Sequence, residues 1–153
     1  MVSETETPFG PILLLVDACE AVARAARLAV KVAARLKAKI YAVTVVETET
    51  LSQLLRGKIL VQEEMEEFER DLTESSARYL HMVAGIAKEA GVELEEMLLK
   101  GGWHQTVLTV QKETGAALLV VCGVSYSMTA RDVIGKAKRL IIDDVPCPVL
   151  IVK

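Results

Sequence analysis

The chain has 153 residues, 52% hydrophobic, 25% charged and only 4% aromatic, with a formal net charge of -3. That length suits one domain able to bury roughly 70% of its unfolded surface, without a disulfide or metal staple. The acidic balance speaks against a basic nucleic-acid-binding face, and no run of about 20 apolar residues offers a membrane span.

Met1 to Pro8 is polar and acidic. Residues 1–9 read as a frayed tail rather than a signal peptide, before a single domain over 10–153. Pro11 to Asp17 is a continuous apolar run ending in a carboxylate, the pattern of a strand covered on both faces. Glu20 to Lys37 repeats Val22, Ala26, Ala29, Ala33 and Leu36 at helical spacing, with Arg24, Arg27, Lys31 and Arg35 turned outward. Ile40 to Val46 is β-branched and predicts a second strand. Glu47 to Leu60 has no clean period and reads as a long connection.

A long helix is expected from Val61 to Ala90, with a stripe of Met65, Phe68, Leu72, Tyr79, Val83, Ile86 and Ala90. The acids crowding its first turns, Glu63 to Asp71, suit the positive end of a helix dipole and a solvated face. Gly91 ends it. Val92 to Leu99 is a third strand, and Gly101-Gly102 turns into a helix from Trp103 to Thr114, closed by Gly115. Ala117 to Cys122 is a fourth strand, and Gly123 to Ile134 a loop. A short helix from Gly135 to Asp144 is broken by Pro146 and Pro148 before a last strand, Val149 to Val152. Strands alternating with helices imply a doubly wound α/β domain: a parallel sheet, right-handed crossovers and helices on both faces.

Such sheets bind ligands beyond the carboxyl ends of their strands. Asp17 is the prominent residue there, either a ligand or metal-bridged phosphate contact or a cap for the following helix. Gly123 and Gly135 frame a loop that either offers N–H groups to an anion or is plain surface. There is no Gly-x4-Gly-Lys-Ser/Thr loop, no Gly-x-Gly-x2-Gly fingerprint and no nucleophile elbow. His81 is expected at the surface, while His104 and Trp103 read as packing and capping residues. Cys19, Cys122 and Cys147 show no metal-ligand spacing and no disulfide framework, so a reducing cytoplasm is the expected compartment and no metal site is assigned.

PILLLVDACEAVARAARLA, LLVVCG and PCPVLIVK, with the spacing between them, resemble the opening, fourth-strand and closing segments of the universal stress protein family from Pro11 to Lys153. The resemblance implies five parallel strands in the order 3-2-1-4-5, the adenine nucleotide alpha hydrolase-like fold. It also implies a homodimer through the last strand, Val149, Leu150, Ile151 and Val152. Members that bind ATP carry Gly-x2-Gly-x9-Gly-Ser/Thr after the fourth strand. Here Gly123 matches the first glycine and Gly135 the third, but Tyr126 stands at the second, the loop is one residue short, and Lys136 replaces the Ser/Thr. Asp17 matches the first-strand aspartate and Val45 the adenine-side position.

The expected function is therefore a non-catalytic, regulatory or stress-response dimer with a degenerate nucleotide motif and protein partners, with no cofactor assigned. The alternative is a sensor that binds ATP with Mg²⁺, or another adenine nucleotide, among Asp17, Val45, Gly123, Gly135 and Lys136, with Lys136 and Arg131 meeting phosphate as point charges. A hydrolase or transferase would need a metal and a general base beyond Asp17.

Overall fold

Four consecutive apolar residues form β1 (Ile12–Leu15), and every one is fully buried. The computed structural model describes residues 9–58, 60–123 and 133–153. The expected tail, apart from Phe9, lies outside the described residues, as do Tyr126 and Arg131 of the Gly123–Ile134 loop. After β1 come α1 (Val22–Leu36), β2 (Ile40–Glu47), α2 (Thr48–Arg56), α3 (Gln62–Glu89), β3 (Leu94–Gly101), α4 (Trp103–Thr114), β4 (Leu118–Cys122), α5 (Val133–Asp144) and β5 (Val149–Val152). The strands form one parallel sheet in the order β3-β2-β1-β4-β5.

Alternation along β1 divides the core into two layers. Ile12 and Leu14, with Val16 beyond the strand, face α1 and α3, whereas Leu13 and Leu15 face α4 and α5. α1 approaches the sheet closely because its buried face is mostly alanine: Ala25, Ala26, Ala29 and Ala33 between Val22 and Val30. Leu36, expected on that face, is instead exposed at the helix end, where Lys37 takes the left-handed conformation and terminates it. Its N-terminus has no side-chain cap: Ala21 holds the N-cap position, so Asp17 does not cap it.

Three further expectations are corrected. The stretch after β2 is not a plain connection: Leu51, Leu54 and Leu55 fall on one face of nine-residue α2, with Leu51 buried, and three apolar side chains make too short a period to stand out. Phe68 leaves the core stripe of α3 and is 51% exposed, because a 28-residue helix outruns an eight-residue strand, about 42 Å against about 26 Å. Its buried residues, Leu80, Val83 and Ala87, accordingly cluster near its carboxyl end. Finally, α5 starts at Val133, so Gly135 is not its first residue but a buried position inside its first turn.

The topology also locates the crevice. β1 pairs with β2 on one side and with β4 on the other, so the chain crosses over β1 after β3. The segments leaving β1 and β4 depart to opposite layers, and a gap opens between them at the carboxyl ends. β5 closes one edge of the sheet as a half-buried strand, with Ile151 42% exposed.

Candidate functional site

Between the strand ends lies a crevice of about 400 Å³. Asp17, Val45, Gly123 and Gly135, carried here by the β1–α1 segment, β2, the end of β4 and α5, all line it. Lys136 is exposed on α5 and does not line it. The walls add Trp103 at the head of α4 and Tyr79, Ser75 and Ser76 from α3. Glu47 fixes the rim: its Oε2 accepts the Trp103 backbone N–H at 3.0 Å, tying the end of β2 to the start of α4.

The floor is built by a residue to which the sequence reading gave no role. Lys138 reaches down from α5, and its Nζ lies 2.6 Å from Asp17 Oδ2. The two side chains are only 3% and 9% exposed. The ammonium also donates to the carbonyl oxygens of Cys122 at 2.6 Å and Gly123 at 3.3 Å, so all three of its protons are used. Asp17 Oδ1 accepts the Cys122 thiol at 3.2 Å. Burial first, and the neighbouring Asp17 charge second, push the Cys122 thiol well above its ordinary range. A periodic reading of α5 contains the signal for Lys138: it stands four residues after Ile134 and three before Ile141, on the face that packs inward.

Gly123 has φ +49, and a Cβ there would collide with Cys19 Sγ. The glycine thus admits the sulfur to the floor, where it also accepts the Ala21 N–H at 3.3 Å. Cys19 and Cys122, which show no ligand spacing in sequence, meet here beside Asp17, while Cys147 packs in the opposite layer. The histidines lie elsewhere. His81 Nδ1 is 3.3 Å from Glu96, linking α3 to β3. His104 Nε2 is 2.7 Å from Asp144, joining α4 to α5 rather than capping.

Replacing Lys138 by Met removes the counter-charge and leaves a buried carboxylate with two unpaired carbonyls. Urea denaturation should show a loss of about 3–5 kcal/mol. Adding Asp17→Asn should recover most of it, because the buried charge disappears with its partner. A loss within about 0.5 kcal/mol, as for an ordinary surface substitution, would mean that the pair carries no weight.

A search of the curated proteins gives no match to this chain. In contrast, the model of the universal stress protein family matches residues 8–153. Solved structures share the fold. A universal stress protein in complex with cAMP has a TM-score of 0.66 at 22% identity, covering 95% of this chain and 98% of its own. One from Archaeoglobus fulgidus in complex with dAMP has 0.64 at 20%, covering 96% and 100%. UspA from Lactobacillus plantarum has 0.65 at 21%, covering 96% and 99%. With a match over nearly its whole length and the adenine nucleotide alpha hydrolase-like sheet order, the chain belongs to the universal stress protein family.

Proposed function

We propose that the protein is a non-catalytic regulator of the stress response, acting as a homodimer in the cytoplasm through protein partners. The observation that carries this reading is the engagement of Asp17 by Lys138. Both carboxylate oxygens and all three ammonium protons are committed to the floor of the crevice. With Oδ2 on the ammonium and Oδ1 on the thiol, neither group is left to act as a general base on a bound substrate.

A second reading, that the crevice senses an adenine nucleotide, is favoured by its lining. Val45, Trp103 and Tyr79 offer apolar and aromatic surface to a base, Ser75 and Ser76 offer hydroxyls, and Gly123 and Gly135 keep backbone close to the gap. The charges select within this class. The described lining residues carry two carboxylates, Asp17 and Glu47, and one ammonium, Lys138. On these described residues alone a triphosphate would meet one net negative charge, which favours a nucleotide with one phosphate over ATP. The cAMP and dAMP held by the two family structures are of that size.

Thermal unfolding with AMP, cAMP or ATP, with and without Mg²⁺, tests both readings. Ligand at a hundredfold excess over its Kd stabilises the native state by about 2.7 kcal/mol. A rise in melting temperature with AMP or cAMP that Val45→Trp abolishes supports the sensor. A larger rise with ATP and Mg²⁺, accompanied by steady phosphate release, would overturn the non-catalytic reading.

The dimer rests on β5. An apolar edge strand with Ile151 exposed is a template for pairing unless it is covered. Sedimentation velocity should find a dimer that Ile151→Glu converts to folded monomer. A wild-type monomer at tens of micromolar would remove this part of the proposal.

A further inference from the structure

We propose that Cys19, Cys122 and Asp17 form a binding site for a thiophilic divalent cation of the zinc class, with Lys138 as its charge-compensating neighbour. The inference is independent of whether a nucleotide occupies the crevice above.

The geometry comes first. The two sulfurs and a carboxylate oxygen all lie within 4.8 Å of one another. A tetrahedral zinc with sulfur at about 2.3 Å and oxygen at about 2.0 Å has edges of about 3.8 Å between sulfurs and about 3.5 Å between sulfur and oxygen. Closing the triangle around an ion therefore requires side-chain movements of about an ångström. The edge between Cys122 Sγ and Asp17 Oδ1 is already 3.2 Å, bridged by the thiol proton. A cation would take the place of that proton.

The backbone holds this triangle in place. Asp17 and Cys19 leave β1 together, while Cys122 ends β4, and these two strands are paired in register, Leu14 with Val120. Gly123 provides the room for the Cys19 sulfur, and the Ala21 amide that donates to that sulfur fixes its position. Three protein ligands leave the fourth position of a tetrahedron open. Cys19, half-buried and lining the crevice, provides the approach from that side. Asp17 would ligate through Oδ1 while Oδ2 keeps its bond to Lys138, the outer partner that fixes a ligating carboxylate.

Charge then selects the ion. With both thiols protonated, the floor holds one carboxylate and one ammonium and is neutral. Loss of both thiol protons to solvent and uptake of one divalent cation leaves it neutral again. A monovalent ion taken up with the same proton loss would leave a buried negative charge, which is costly in such surroundings. Mg²⁺ and Ca²⁺ require several oxygen ligands and would find one carboxylate and two sulfurs. Two sulfurs with one carboxylate suit zinc and its spectroscopic surrogate cobalt.

The test is a titration of the fully reduced, full-length protein with Co²⁺ under argon, without nucleotide. The expected result is one equivalent bound, the intense visible bands of tetrahedral cobalt, a thiolate-to-metal charge-transfer band, and displacement of all of these by one equivalent of Zn²⁺. Cys122→Ser and Cys19→Ala should both abolish the charge-transfer band, and Cys147→Ala should leave it intact. Cys19→Ala alters a half-buried side chain at the crevice wall, so it decides the matter should Cys122→Ser fail to fold. Absence of the band in the reduced wild type overturns the site. So does a band that survives Cys19→Ala or disappears with Cys147→Ala.

Discussion

The crevice depends on the buried pair of Asp17 and Lys138. A parallel sheet ends in carbonyl oxygens that no further strand receives, and here those of Cys122 and Gly123 lie inside the molecule. A buried carboxylate beside them adds negative charge. Lys138 meets all three demands with one ammonium, and in doing so fastens α5 over the ends of β1 and β4. Such a pair gains little net stability against a well-packed apolar substitute, because desolvating two ions consumes most of their attraction. Its consequence lies in the site: it sets the height of the floor, makes it neutral, and commits Asp17.

Much of this architecture is legible in the sequence, because the strands declare themselves by composition. β1, β4 and β5 are apolar runs bounded by Gly, Pro or charge, and α4 and β5 occupy the ranges that periodicity predicts. The sheet order was read by resemblance, and the strand pairs agree with it. What stayed hidden was decided by tertiary geometry. Phe68 obeys the helical stripe but falls where α3 extends past its sheet, and no local pattern records the length of a neighbouring element. Leu36 likewise keeps the period of α1 at a turn that lies beyond the core.

At the site, topology alone singles out Asp17, since a carboxylate closing a buried strand needs a partner. Lys138 is legible in principle, as a lysine on the apolar face of α5, whereas Lys136 is the residue that stands at the Ser/Thr position of the family motif. The two differ by about 200° around the helix, and that rotation separates an exposed side chain from a buried one. The meeting of Cys19 and Cys122 was not legible. Ligand-spacing rules detect pairs on one turn or hairpin, whereas these two sulfurs come from opposite ends of the chain and meet because β1 and β4 are neighbours.

The commitment of Lys138 also restricts what the crevice can accept. A phosphate that captured this ammonium would strip Asp17 of its counter-charge and leave the Cys122 and Gly123 carbonyls short of a donor. The cost of that rearrangement would come directly out of the binding energy. A ligand of low charge avoids it by leaving the floor intact and using the apolar walls and the serines. A divalent cation avoids it differently, by displacing protons rather than the ammonium. Both proposed modes would keep the buried floor neutral, so under either proposal it is the charge of the floor that sets which ligands fit it.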